Sequence, residues 1–318
     1  MDGSSQSLAL VVALLIDLVF CELPNRWHPV AWMGRSIAAW RRLTKTSGIA
    51  APLIAGSLLV ACGGAFWWAV GWQTESLSSG LPFLATAVVQ GIVLKQTFSV
   101  RSLARAAGGV KVALQSRNLP AARAELSYHL VSRDVSTLNE SQIAAATIES
   151  VAENASDSVV APLFFFVVAG LPAALAYRFV NTCDAMLGYR TEELEWYGKA
   201  AARLDDLLNF VPARLTAGMI LIVGGRRNRR PFTGVRVWLR DCRSTASPNA
   251  GHPMSAAAGA LGVELEKVGQ YCLGAGQPRP GAADIGRAVR MLWSVMVLAT
   301  FLALGISALT GLLDKVGI

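Results

Sequence analysis

Charge is what this chain is short of. Only 16% of its 318 residues are Asp, Glu, Lys or Arg, against roughly 25% in a soluble globular domain, while 53% are hydrophobic and the mean hydropathy is +0.44. A soluble globular fold is thereby excluded, and an integral membrane protein is expected. Cysteine is sparse and unpatterned: Cys21, Cys62, Cys183, Cys242 and Cys272 are odd in number and never in CxxC spacing, which excludes a zinc framework and a disulfide scaffold. Three histidines, His28, His129 and His252, lie far apart without HxxxH spacing, so no histidine-based metal site is expected. There is no GxxxxGK[ST], no GxSxG and no Cys/His pair, so any use of nucleotide is not of the P-loop type and nucleophilic acyl hydrolysis has no machinery. Alternating strand patterns of useful length are also missing, and apolar helices dominate; the fold class is all-α.

What is present is a series of apolar runs. Uncharged stretches near the roughly 20 residues that cross a bilayer occur at 49–73, 81–94, 158–177 and 291–313, with weaker candidates at 8–20 and 207–225. No Lys or Arg precedes the first run, Asp17 stands near its end, and no clean small-residue cleavage site follows. Residues 8–20 are therefore read as a retained span. Basic residues collect between the runs, five in 24–48, seven in 95–142 and eleven in 226–290, whereas 74–80 has none. The positive-inside rule makes those three segments cytoplasmic and predicts about six spans within one membrane domain over 1–318. The net charge of +8 thus reads as topology, and no nucleic-acid partner is expected. Simple alternation puts 178–206 outside despite its polar content, so either it re-enters the membrane or one span is misplaced. GAGQPRPG, 274–281, is punctuated as a loop, and Arg226-Arg-Asn-Arg-Arg-Pro231 as a cytoplasmic helix exit.

The densest polar feature is Thr147-Ile-Glu-Ser-Val-Ala-Glu-Asn-Ala-Ser-Asp157. On a helix Glu149, Glu153 and Asp157 fall at i, i+4 and i+8 and share one face. Neighbours stand about 6 Å apart along the axis and the outer pair about 12 Å, so one Mg²⁺ is shared by an adjacent pair at most. Two like charges at about 6 Å repel by roughly 3 kcal/mol at an effective dielectric of 20, so the acids need a cation, an arginine or protons. A solvated acidic face is the plain alternative. The small apolar residues around them, Ala144–Ala146, Val151, Ala152 and Ala155, favour a functional reading, because ionisable groups against a membrane are rarely idle.

Two further clusters follow. Tyr177–Arg190 brings together Asn181, Asp184, Tyr189 and Arg190, and the stretch 203–215 adds Arg203, Asp205, Asp206, Asn209 and Arg214; interfacial ion pairing is their plain alternative. Arg101 and Arg105, with Lys111, Arg117 and Arg123, suit phosphate or simply mark the cytoplasmic side.

Several of these motifs together resemble one family, the cobalamin-biosynthesis membrane proteins called CbiB or CobD, the adenosylcobinamide-phosphate synthases. The resemblance is carried, in order, by Asp17, Pro24-Asn-Arg-Trp-His-Pro-Val-Ala-Trp-Met-Gly34, Arg101-Ser-Leu-Ala-Arg105, Ser132-Arg-Asp134 and Thr147–Asn154 with Asp157 and Ala161-Pro-Leu-Phe-Phe165. It continues through Asn181-Thr-Cys-Asp-Ala-Met186, Gly188-Tyr189, Arg203-Leu-Asp-Asp206, Pro212-Ala-Arg-Leu215, Ser247-Pro-Asn-Ala-Gly251 and Ala258-Gly-Ala-Leu-Gly262. One departure stands out: where the family usually has Gly-Asp-Pro after the first span, this chain has Cys21-Glu22-Leu23, which keeps a carboxylate but loses glycine's easy access to positive φ.

The resemblance implies amide formation between the propionate carboxylate of adenosylcobyric acid and (R)-1-aminopropan-2-ol or its O-phosphate, with ATP as cosubstrate and Mg²⁺. It implies a bacterial plasma-membrane enzyme whose active site faces the cytoplasm, in contact with membrane lipid and with other late cobalamin-assembly enzymes. A carboxylate is a poor acyl donor, so it needs activation, most simply as an acyl phosphate. From charge type and motif position, Glu149, Glu153 and Asp157 are expected to hold Mg²⁺, with Asp184 as a further candidate ligand. Arg101, Arg105, Arg190 and Arg203 are expected on phosphates or the corrinoid carboxylate, with His28, Asn154, Asn181, Tyr189 and Asn249 on substrate. Asp184, Asp205 and Asp206 are the catalytic candidates, the last two steering the amine. A transporter with an acidic cation site, or a non-catalytic AmpE-like membrane relative, are the competing readings.

Overall fold

The computed structural model of the chain describes residues 3–20, 22–44, 47–189, 191–225 and 231–316. Arg190, Cys21 and the expected helix exit at 226–230 lie outside the described residues. The helices are α1 (Gly3–Val19), α2 (Pro29–Leu43), α3 (Ala50–Ser78), α4 (Phe83–Lys95), α5 (Val100–Gln115), α6 (Leu119–His129), α7 (Glu140–Ala155), α8 (Ala161–Leu187), α9 (Lys199–Leu208), α10 (Phe210–Gly225), α11 (Pro231–Asp241), α12 (Gly251–Leu261) and α13 (Ala282–Val316). A π-helical turn, Ser156–Val160, joins α7 to α8, and a two-stranded hairpin, β1 (Leu265–Lys267) and β2 (Tyr271–Leu273), precedes α13.

The chain is an all-α membrane protein. Four helical stretches are long and apolar enough to cross a bilayer: Ala50–Ser78, Phe83–Gln115, Glu140–Leu187 and Ala282–Gly311. A pair bent by 49°, Lys199–Leu208 with Phe210–Gly224, makes a fifth if it counts as one broken span. The expected number was about six. The differences lie at α1, only 17 residues long and carrying a buried Asp17, and at the 207–225 stretch, which is interrupted between α9 and α10.

Two compact units are each built from separated parts of the sequence. Unit 1 takes Met1–Ser99, Ala161–Leu208 and Thr300–Ile318. Its core forms where α2, α3, α8 and α9 bring together Met33, Ile37, Leu59, Trp67, Phe179 and Ala201, with Tyr197 just before α9. α8 is not the continuous span expected over 158–177. Ala169 and Gly170 leave helical geometry, Gly170 at φ 73°, a conformation open to glycine without the Cβ penalty. The segment beyond the break restarts with Pro172 near its first turn, and the Glu75 carboxylate of α3 accepts the Leu171 N–H at 2.8 Å, so a side chain 96 residues away does the work of an N-cap.

Unit 2 comprises Val100–Val160 and Asn209–Ala299. α12 runs through its centre against α7, α10 and α11. Every residue of α12 except Ala260 is buried, as expected of a helix that is apolar on all sides, and it ends at Gly262 in the left-handed conformation. α7 starts from a capping box: Asn139 Oδ1 accepts the Gln142 N–H at 3.0 Å and Gln142 Oε1 accepts the Asn139 N–H at 2.9 Å.

Candidate functional site

The capping box fixes where α7 begins and hence which of its faces carries Glu149 and Glu153. Glu149 is only 5% exposed, and its Oε1 has no hydrogen-bond partner among the described residues. The cations demanded by two acids at i, i+4 come from elsewhere in the unit. Arg133, in the loop between α6 and α7, places Nη2 3.7 Å from Glu149 Oε2. Lys267 and Tyr271 reach the same carboxylates from the hairpin, where they are direct cross-strand partners and therefore point to one face. A three-residue turn with Gly269 at φ 74° closes the hairpin, and β1 packs on α7.

Electrostatics within this cluster are mutual. Burial lowers the Lys267 ammonium pKa and Arg133 lowers it further, against the pull of Glu149 and Glu153. The Tyr271 phenol is raised by burial and by the same two carboxylates, so it stays protonated and available as a donor. Two carboxylates, two cations and a phenol therefore converge in one partly buried place. Such a set carries groups of the kinds that a phosphate and a divalent cation need together, because Mg²⁺ is held by one or two carboxylates and completes its shell with water and phosphate oxygens. Among the described residues no three His, Cys, Asp or Glu side chains are grouped to cage a metal, so a dedicated all-protein site is not what these residues make. The buried Oε1 of Glu149, lacking a donor, is the oxygen that suits a cation.

Asp157 stands apart from the simple i, i+4, i+8 stripe. The backbone becomes π-helical at Ser156, which slackens the winding, so Asp157 does not lie on the regular α-helix that carries Glu149 and Glu153. Asn154 spans this transition, donating to the Ser150 carbonyl at 2.9 Å and accepting from Ser158 Oγ at 3.0 Å. Arg101 and Arg105 lie one turn apart on α5 of the same unit, and Asn249, buried before α12, accepts from Arg214 Nη1 at 3.2 Å. Neither Lys267 nor Tyr271 was singled out from the sequence, and Arg133 entered only as part of a motif. Three-residue strands leave no periodic signal, and more than a hundred residues separate the hairpin from α7.

Unit 1 holds the remaining candidates. Asn181 on α8 donates from Nδ2 to Asp205 Oδ1 on α9 at 3.2 Å and accepts from Arg178 Nη1 at 3.4 Å, so two of the predicted residues meet directly. Asp184 lies one turn further along α8, Asp206 is half-buried, and Arg203 and Tyr189 are exposed. Between α2 and the end of α8 is a cavity of about 1030 Å³, lined by Ile37, Ala38, Arg41, Arg42, Met186 and Tyr197 among others.

The first loop of unit 1 is organised by Glu22. Its carboxylate accepts from Lys95 Nζ at 2.9 Å and from Ser99 Oγ at 2.5 Å, and lies 3.1 Å from His28 Nε2. Lys95 is 3% exposed and also lies 3.3 Å from Asp17 Oδ1. His28 Nδ1 accepts the Val30 N–H at the start of α2, which leaves Nε2 to carry the proton shared with Glu22. Both nitrogens of this predicted substrate ligand are thus engaged within the protein. Burial alone would raise the Glu22 carboxyl, but the bonds from His28, Ser99 and Lys95 outweigh it and hold the pKa at about 2.

The comparisons agree with the motif order. Residues 10–292 match the family model described as CobD/Cbib protein. The chain is 43% identical over 267 residues to the cobalamin biosynthesis protein CobD of Dehalococcoides mccartyi (84% of this chain, 86% of the relative). It is 38% identical over 307 residues to the probable cobalamin biosynthesis protein CobD of Methanothermobacter thermautotrophicus (95% and 98%), and 35% identical over 317 residues to the cobalamin biosynthesis protein CbiB of Salmonella typhi (96% and 98%). No solved structure matches the chain. Its length, its ordered motifs and these similarities agree, and the chain belongs to the CobD/Cbib family of cobalamin biosynthesis proteins.

Proposed function

We propose that this membrane protein is an adenosylcobinamide-phosphate synthase, joining the propionate carboxylate of adenosylcobyric acid to (R)-1-aminopropan-2-ol or its O-phosphate at the expense of ATP. The observation that carries the reading is the pairing of Glu149 and Glu153 with Arg133, Lys267 and Tyr271 within a member of this family. Carboxylate, ATP and amine give amide, ADP and inorganic phosphate through an acyl phosphate, whose phosphate leaves as the amine nitrogen attacks the carbonyl carbon.

Glu149 and Glu153 are the residues to hold Mg²⁺ alongside a nucleotide in the proposal, with water and phosphate oxygens completing its shell. When bound, the ion neutralises phosphate charge and polarises the transferring group. Arg133 and Lys267 supply fixed positive charge for phosphate oxygens, and Tyr271 supplies a hydrogen-bond donor. Arg101, Arg105 and Arg203 are assigned to phosphates or to the corrinoid carboxylate, Asn154 and Tyr189 to substrate, and Asp205 and Asp206 to steering the amine. The cavity of unit 1, about 1030 Å³, is at the upper end of the roughly 300–1,000 Å³ typical of small-molecule sites. The reading also places the protein in the plasma membrane with the site on the cytoplasmic side, where ATP is available.

The test is an assay of purified protein in detergent or nanodiscs with adenosylcobyric acid, aminopropanol O-phosphate, ATP and Mg²⁺, read by mass spectrometry. Formation of the amide at the expected mass supports the reading. Folded protein that makes no amide with either amine overturns it.

A further inference from the structure

A second cationic centre of unit 2, made by Arg214, Arg243, His252 and Asn249, has no part in the carboxylate cluster. Arg214 sits on the first turns of α10, stacked over the Phe210 ring at 3.6 Å, with Nη1 donating to the Phe210 carbonyl at 2.6 Å and to Asn249 Oδ1 at 3.2 Å, which leaves Nε and Nη2 to face a ligand. Arg243 follows α11 and is exposed, and both guanidiniums are close enough to act electrostatically on His252. Among the described residues neither arginine has an ion pair with a carboxylate, whereas the neighbouring Arg240 is closed off by Asp241 at 2.6 Å. Positive charge is therefore concentrated there with no carboxylate paired to it among the described residues.

His252 shows which chemistry the place is set up for. It is buried on the first turn of α12, and its Nδ1 accepts the Trp238 indole N–H at 3.1 Å. With Nδ1 an acceptor, the proton resides on Nε2, so the imidazole presents a neutral donor. Burial, then Arg214 and Arg243, push its pKa down to about 4, which keeps that donor neutral at physiological pH. The loop carrying Arg243 is held against the start of α12 by close packing: Gly251 has no Cβ because the Cys242 carbonyl and the Thr245 hydroxyl, 2.8 Å from where that atom would be, occupy the space. Ser247 Oγ accepts the Asn249 and Ala250 N–H groups and fixes the turn between them.

We propose that Arg214, Arg243, His252 and Asn249 form an oxyanion site that takes a phosphate group. Two guanidiniums supply charge and forked donors, and a neutral imidazole N–H supplies a directional one, a donor set that matches a tetrahedral phosphate. The site deepens the synthase reading, since phosphate-bearing substrates would use it, yet binding there does not depend on turnover.

The experiment measures equilibrium binding of tripolyphosphate, inorganic phosphate and aminopropanol O-phosphate to the full chain in nanodiscs of neutral lipid. Parallel nanodiscs contain phosphatidylglycerol. R243Q and H252Q are each expected to weaken binding of at least one soluble phosphate by about tenfold, with helix content by circular dichroism unchanged. R214K, which keeps the charge, is expected to lose less than R214Q. Affinity unchanged in R243Q and H252Q would overturn the proposal. So would an effect seen only as loss of phosphatidylglycerol enrichment, which would make the arginines a lipid contact. If the synthase assay fails while soluble phosphate binds and responds to these variants, the oxyanion site stands and only the reaction assignment falls.

Discussion

Lys95 Nζ stands 2.9 Å from Glu22 Oε1 and 3.3 Å from Asp17 Oδ1, so one buried ammonium compensates two carboxylates. Lys95 is 3% exposed and Asp17 only 2%, which makes the cation the indispensable member. Lys95→Met should destabilise the protein by about 3–5 kcal/mol, the usual cost of stranding a buried charge, read as a fall in thermal midpoint in detergent. A fall no larger than that of Lys199→Met, which removes a half-buried lysine paired with Glu195 near the surface, would show that the Lys95 pairs contribute little.

The same network gives a pH dependence of known sign. Glu22 has its pKa lowered from 4.5 to about 2 in the folded protein, so its stabilising contribution is complete above the unfolded value and disappears as pH falls through the window from about 4.5 to about 2. The stability difference between the native protein and Glu22→Gln should be constant from pH 7 to about pH 5 and shrink below that. Chemical denaturation at a series of pH values measures it.

At the carboxylate cluster, Glu149→Gln preserves shape and removes charge. Amide formation should fall at least about a hundredfold, the scale seen when one preorganised electrostatic contact is lost, while thermal stability stays close to native. Arg133→Gln should instead lower both, since it leaves the buried Glu149 with less compensation, by about 1–3 kcal/mol in stability. Steady-state kinetics beside thermal melts separate the two outcomes.

The break in α8 makes a fourth prediction. Glu75→Ala removes the acceptor for the Leu171 N–H and should cost about 1–2 kcal/mol, as loss of an N-cap does. Gly170→Ala adds a Cβ at φ 73°, directly against the Glu75 carboxylate, and should cost at least as much. The double variant should fall short of the sum of the two, because both act on the same cap. Melts of the three variants decide it.

The helical membrane class and the family were legible from composition and from the order of motifs, and α7 with its two acids on one face follows from spacing alone. Other parts were not. The π turn at Ser156 shifts hydrogen bonding by one residue without changing composition, so the stripe through Asp157 looked continuous. α12 was hidden because alanine and glycine carry little hydropathy and 11 residues are too few for a span, so the centre of unit 2 looked like part of a basic loop. The break at Gly170 fell inside an apolar run, where hydropathy is blind to φ. The carboxylates' need for a cation was foreseen by Coulomb's law, but its identity was not, because Arg133 and Lys267 are brought in by tertiary packing.

Lys267 and Tyr271 are opposite one another in the hairpin, and this makes the chemistry of the cluster a matter of parity. Side chains alternate along a strand, so a one-residue slip of β2 against β1 would bring Cys272 to the place of Tyr271 and send the phenol to the other face. A two-residue slip would restore the facing but bring Leu273 there. The register of this short hairpin thereby governs which functional group meets the acids.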